Sequence, residues 1–227
     1  MSTPVAFVPG HVEPGGPSAV WRLAGAEIRK ASVSPQDNNA YLFTDTASGA
    51  RLLIDAADDA DRLRALIDEP DVAGDLVGIC TSHQHWDHHR ALPGLAGSGG
   101  VTTLAGADDA PALPVVVDRL LQHGDTVSVG TRRLDVIALR GHTPGSVALA
   151  WQETGDGRVH LFTGDSLFPG GVGKTTSAED FASLLGDVRS RIFDHYGDDT
   201  IVYPGHGDNT TLGAERSHLD EWQERGW

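Results

Sequence analysis

The segment Ser82-His83-Gln84-His85-Trp86-Asp87-His88, which follows an apolar run at 76–81, constrains this chain more than any other. In extended backbone, side chains two apart project to the same side, so His83 and His85 share one face. Asp87 and His88 then turn toward a second, neighbouring position as the chain leaves the strand. Imidazole and carboxylate together suit zinc, manganese or iron rather than calcium or a thiolate-bound metal. A solvated polar loop has no use for this density of histidine. The fold must therefore end a strand at an edge that can hold metal.

Three further motifs repeat the arrangement. Arg140-Gly141-His142-Thr143-Pro144-Gly145-Ser146 sets a histidine in a Gly/Pro turn after the apolar run 134–139. Phe162-Thr163-Gly164-Asp165-Ser166 sets an aspartate at the end of a short strand, 159–163. Tyr203-Pro204-Gly205-His206-Gly207 does the same with a histidine after 200–202. Loops at strand ends along one sheet edge commonly converge on a site.

With these motifs in this order, the chain resembles the metallo-β-lactamase-fold superfamily, and within it the glyoxalase II-like hydrolases, over about residues 38–215. The resemblance implies a four-layer αββα sandwich of the α/β (α+β) class. It implies that His83, His85 and His142 bind a first metal, that Asp87, His88 and His206 bind a second, and that Asp165 bridges them. Two divalent ions are expected, zinc first, with iron or manganese as alternatives. A hydroxide held between two metals is a strong nucleophile near neutral pH, because coordination lowers the water pKa from about 15.7 to about 7. Asp87 is expected to align it, a catalytic role beside its ligand role. Because a thiolate leaves readily, a small thioester or ester is the expected substrate class.

Composition sets bounds on this reading. A chain of 227 residues with 39% hydrophobic and 22% charged residues can bury one substantial core, which suggests a single domain over 1–227. A formal net charge of −15 argues against a nucleic-acid surface, since phosphate binding needs clustered Lys and Arg. The lone cysteine, Cys80, excludes an intramolecular disulfide and fits a reducing, cytoplasmic compartment; its place in the apolar run 76–80 favours core packing over ligation. No apolar run approaches the roughly 20 residues of a membrane span, and the N-terminus lacks a basic-then-apolar signal.

Along the chain, residues 1–18 read as an irregular Pro/Gly-rich arm. Strands are expected at 19–23, 27–33, 40–44, 51–54 and 76–81, and helices at 58–68, from 87 to 95, at 177–195 and at 212–225. His89 adjoins the ligand-bearing residues, but neighbours on a helix point about 100° apart, so it faces elsewhere. Leu219 and Trp222 form an apolar stripe on the last helix, suited to docking on the chain's own core; alternatively Trp222 and Trp227 anchor an oligomer contact or a pocket wall.

Gly170-Gly171-Val172-Gly173-Lys174-Thr175 looks like the end of a phosphate-binding loop, but the pattern needs glycine where Phe168 stands. Lys174 is instead a candidate contact for an anionic substrate group, with a solvated lysine as the plain alternative. Phe168 is a second candidate substrate contact. Lactonases of this fold usually carry tyrosine at its position, which weakens the lactonase alternative. Persulfide dioxygenases of the fold bind one iron through two histidines and an aspartate, and redox chemistry is the alternative class. A binding module without catalysis is the remaining one. After His206 only 21 residues follow, too few for the helical substrate domain of typical glyoxalase II.

Overall fold

The computed structural model describes residues 10–97 and 99–226. Its first half builds one sheet from β1 (Ala19–Leu23), β2 (Ala26–Ser32), β3 (Asn39–Asp45), β4 (Arg51–Ile54), β5 (Leu76–Thr81), β6 (Thr102–Gly106) and β7 (Arg119–Leu121), in that spatial order. Strands β1 to β4 are antiparallel, and β4 to β7 are parallel. Parallel neighbours need crossovers, and α1 (Ala60–Asp68) and α2 (Leu92–Ala96) supply helical turns in two of them.

The second half adds β8 (Thr126–Val129), β9 (Arg132–Ala138), β10 (Val147–Gln152) and β11 (Val159–Gly164). After the small ribbon β12 (Leu167–Phe168) and β13 (Gly171–Val172) comes α3 (Ala178–Val188). Then β14 (Ile201–Pro204), β15 (Thr210–Thr211), α4 (Leu212–Glu215) and α5 (Leu219–Arg225) complete the chain. This sheet has the order β15-β14-β11-β10-β9-β8, with β11 and β14 parallel.

Period-two alternation explains the layering. Tyr41 and Phe43 of β3 face the same core as Leu149 and Trp151 of β10, between the sheets. Ala40 and Leu42 face the other way, onto Leu63 and Leu66 of α1. Ala148 and Ala150 of β10 likewise meet Phe181 and Leu184 of α3. Three cores separated by two sheets make the αββα sandwich that the motifs imply.

Most expected strands coincide with observed ones; the helices differ more. From 87 to 95 there is no continuous helix: a 3-10 turn at Trp86–His88 precedes α2, so the candidate ligands Asp87 and His88 lie in a tight turn. The expected helix at 177–195 narrows to α3 followed by a wide turn at Arg189–Phe193. The stretch 212–225 is two helices joined by a 3-10 turn at Arg216–His218. Trp222 is only 1% exposed and packs edge-on against Phe193 at 6.4 Å, so it fills the chain's own core. Trp227 and residues 1–9 of the arm lie outside the described residues. In the rest of the arm Gly10 and Val12 are buried, while His11, Glu13, Pro14, Gly15 and Pro17 are exposed. Cys80 sits in the inter-sheet core, where burial pushes its thiol far up. Among the described residues, no helix is long and apolar enough to cross a membrane.

Candidate metal centre

Six strand ends deliver the site. The loop after β5 carries His83, His85, Asp87 and His88; those after β9, β11 and β14 carry His142, Asp165 and His206. The loops after β4 and β6 carry Asp55 and Asp109, which hold the others in place. All seven sequence-derived ligand candidates come together. The ring nitrogens of His83, His85 and His142 lie within 4.8 Å of one another, as do the ligand atoms of Asp87, His88 and His206. Asp165 stands between the groups, its Oδ2 3.8 Å from His142 Nε2 and 3.5 Å from His206 Nε2, its Oδ1 3.4 Å from His88 Nε2. A tetrahedral ion with bonds of 2.0–2.2 Å sets its ligand atoms about 3.3–3.6 Å apart. The spacing fits.

Hydrogen bonds choose which nitrogen faces inward. His142 Nδ1 donates to the Lys174 carbonyl at 2.7 Å, and His206 Nδ1 to the Gln36 carbonyl at 3.0 Å. His88 Nδ1 meets Asp55 Oδ2 at 2.9 Å. His83 Nδ1 meets Ser82 Oγ at 3.0 Å, and that hydroxyl donates onward to Asp55 Oδ2 at 2.8 Å. Each of the four rings therefore turns Nε2 toward the centre, the arrangement by which outer partners fix metal-binding histidines. His83 Nε2, His142 Nε2 and Asp165 Oδ1 are buried and, among the described residues, have no hydrogen-bond partner. Orphaned polar atoms cost free energy unless something else satisfies them. Three in one cluster of imidazoles and a carboxylate fit divalent metal.

Electrostatics divides the cluster. Burial, then the neighbouring imidazoles, push the His83 pKa well below its ordinary value, and burial lowers that of His142. Both shifts favour the neutral form that a metal ligand needs. Burial opposes the charge on His88, but Asp165 and Asp55 outweigh it and raise its pKa to about 10. Burial likewise works against Asp165, which His88, its Nε2 3.4 Å from Asp165 Oδ1, nevertheless holds below the usual carboxylate range. Asp87 is held low too, by Asn38 and His88 against burial.

Glycines let the backbones close in. A Cβ on Gly205 would collide with Asp165 Oδ1 and the His88 ring, and one on Gly173 with the Asp165 carbonyl. The glycine-rich stretch before Lys174 thus serves close packing and presents the carbonyl that fixes His142. The Lys174 side chain is exposed, and the half-buried Phe168 ring lies 6.5 Å from that of His206. His89 faces away, its Nε2 3.0 Å from the Gln84 carbonyl.

Four positioning groups escaped the sequence reading. Asp55 follows an apolar strand just as Asp165 does, a signal that could have found it; its positive φ of 60° is uncommon outside glycine. Asp109 accepts from Gln84 N at 2.9 Å, Thr143 Oγ1 at 2.6 Å and Gly145 N at 2.7 Å, tying together the loops that carry His85 and His142. Asn38 contacts Asp87 and His206. Buried Lys30 donates to the Gly207 carbonyl at 2.5 Å and to that of Gly10 at 2.6 Å, with burial lowering its pKa to about 8. Nothing in spacing marks these last three.

Comparison with known proteins agrees with the geometry. A hydroxyacylglutathione hydrolase of Fuscovulum blasticum is 38% identical over 152 residues, 66% of this chain and 56% of that protein. The chain spans about half the length of the first curated relatives it matches, at 56% and 51%. The crystal structure of ETHE1 from Myxococcus xanthus superposes with a TM-score of 0.73 at 28% identity, covering 87% of this chain and 84% of that one. That of TTHA1623 in a di-iron-bound form gives 0.64 at 30% identity, covering 82% and 96%. The family model of the metallo-beta-lactamase superfamily matches residues 33–206, and the chain belongs to that superfamily.

Proposed function

We propose that this protein is a dinuclear metal-dependent hydrolase of a small thioester or ester, similar in chemistry to hydroxyacylglutathione hydrolases. The observation that carries the reading is the convergence of orphaned His83 Nε2, His142 Nε2 and Asp165 Oδ1 with the second group Asp87, His88 and His206. His83, His85 and His142 would hold one cation, Asp87, His88 and His206 the other, with Asp165 shared. When bound, such a pair lowers the pKa of a shared water toward about 7 and polarises an acyl carbonyl. The chain's own groups supply orientation. Asp55 and the Gln36 and Lys174 carbonyls fix the rings, and Asp87, ionised, accepts a hydrogen bond from the attacking water and aligns it. Phe168 and Lys174 border the approach and would contact the acyl or thiol portion. Zinc, iron and manganese all suit these ligands.

The test is metal content per chain together with turnover on S-acyl glutathiones, simple acyl esters and lactones. Near two ions, with turnover lost in His206→Ala and Asp165→Ala, supports the reading. Asp87→Asn with normal metal content and normal turnover removes the catalytic role of Asp87. A second reading, a mononuclear iron persulfide dioxygenase, is favoured by the likeness to ETHE1. A single iron untouched by His88→Ala or His206→Ala would select it.

A further inference from the structure

Asp87 and His206 arrive from different sheets, yet Asp87 Oδ2 and His206 Nε2 stand 3.4 Å apart. Because His206 Nδ1 donates to the Gln36 carbonyl, its Nε2 turns a lone pair toward the carboxylate. Two facing lone pairs repel, so something must hold them together. Asn38 does so. Its Nδ2 lies 3.0 Å from Asp87 Oδ2 and 3.2 Å from His206 Nε2, and it also reaches the Asp87 carbonyl at 3.1 Å.

The amide has little freedom to do anything else. Asn38 is fully buried, and its Oδ1 accepts from the Ser34 hydroxyl, so the NH₂ end faces the ligands. Its backbone is fixed as well, through Val33 N to the Asn38 carbonyl at 2.9 Å and an isolated bridge to His206. Among the described residues, His83 Nε2 and His142 Nε2 of the first group meet no hydrogen-bond donor.

We infer that Asn38 is a positioning residue that pre-assembles the second metal position by gathering Asp87 and His206 through one amide. On binding, the cation takes the His206 lone pair, and Asn38 keeps its bonds to the Asp87 carboxylate and carbonyl. The inference rests on the dinuclear reading. Loss of an outer hydrogen-bond partner of a ligand typically weakens metal affinity 10- to 100-fold. That loss should fall on one position alone, because Asn38 touches none of His83, His85 or His142.

The experiment is a titration of metal-free protein with cobalt(II), followed by visible absorption and calorimetry. The second step is identified as the one abolished by His206→Ala. In Asn38→Ala that step should weaken by about 10- to 100-fold, with a shifted absorption band, while the first stays within about twofold. Ser34→Ala, which loosens the amide without touching a ligand, should move the same step in the same direction by less. If Asn38→Ala fails to fold, Ser34→Ala carries the test. Two steps weakened alike, or two steps unmoved, overturn the inference and leave the dinuclear reading standing. A wild-type titration that ends at one equivalent overturns both.

Discussion

Asp45 and Asp165 are both enclosed carboxylates, set at opposite ends of the sandwich, and they differ in what meets their oxygens. Strand β3 runs between the two environments: Asn39 N bonds to the Gly205 carbonyl beside Asp165, and Asp45 closes the other end. Asp45 accepts from Ser48 Oγ at 2.6 Å, Thr131 N at 2.8 Å, Thr131 Oγ1 at 2.9 Å and Ala47 N at 3.2 Å, with Arg132 Nε also at 3.2 Å. Its lone pairs are filled. Asp165 Oδ1 has no hydrogen-bond partner among the described residues, and imidazole nitrogens surround the group. A saturated buried carboxylate fastens the fold. An unsaturated one among neutral or charged imidazoles is organised for a cation.

The largest effects should come from the unsaturated end. Asp165→Asn keeps the shape and removes the charge shared by both groups. Activity should fall by more than the roughly 10- to 100-fold typical of outer-shell losses, with metal content below that of wild type. The metal-free variant also loses the buried pairing of Asp165 with His88 at 3.4 Å, so it should melt modestly below metal-free wild type. A variant that unfolds early but keeps its metals would place Asp165 with Asp45.

At the saturated end the pattern should invert. Asp45→Ala removes the acceptor shared by Ser48, Ala47, Thr131 and Arg132, at about 0.5–1.5 kcal/mol for each hydrogen bond lost. Its urea midpoint should drop clearly, while turnover per folded molecule and metal content stay at wild-type levels. The acid limb sharpens the contrast. Burial opposes the Asp45 charge, but bonds from Ser48, Thr131 and Ala47 outweigh it and hold the carboxyl far below its ordinary range. A depressed folded pKa gives stability that is present above the unfolded value near 3.9 and lost as pH falls toward the folded one. The stability gap between wild type and Asp45→Asn should therefore be constant from pH 5 to 7 and shrink below about pH 4. A gap that widens in acid would break the assignment.

Asp109 tests whether a saturated carboxylate can serve the unsaturated end. Its three acceptor bonds fasten the Gln84 and Gly145 backbones and Thr143, so Asp109→Ala should cost both stability, by about 3 kcal/mol, and first-position metal affinity. Chelator competition, read beside the urea midpoint, checks both. Loss of stability alone would make Asp109 another Asp45.

This contrast explains what the sequence could and could not reveal. The seven ligand candidates were legible because metal chemistry needs rare residue types, and local motifs place them at strand ends. The strands were legible through alternation, as in Ala40-Tyr41-Leu42-Phe43, whose sides face two different cores. Asn38, Asp109 and Lys30 were not, because their partners lie far away in sequence: Asn38 reaches 168 residues to His206, and Lys30 reaches 177 to Gly207. A hydrogen bond across the fold leaves no spacing to read. The helices after His88 and around Arg216 broke for a related reason. Tertiary contacts, of the Arg216 guanidinium with the Phe193 and Tyr196 carbonyls and of His88 with Asp55, override local propensity.

The smallest expected effect concerns Lys174, which divides between the two kinds of role within one residue. Its carbonyl holds His142 Nδ1 at 2.7 Å, and its side chain projects into solvent. Lys174→Ala keeps the carbonyl, so metal content and the urea midpoint should match wild type. If the ammonium meets an anionic substrate group, KM should rise a few-fold at low salt with kcat unchanged, and the difference should fade as salt screens an exposed charge. Equal KM values at low salt would make the side chain a solvated one and leave the residue's contribution entirely in its backbone.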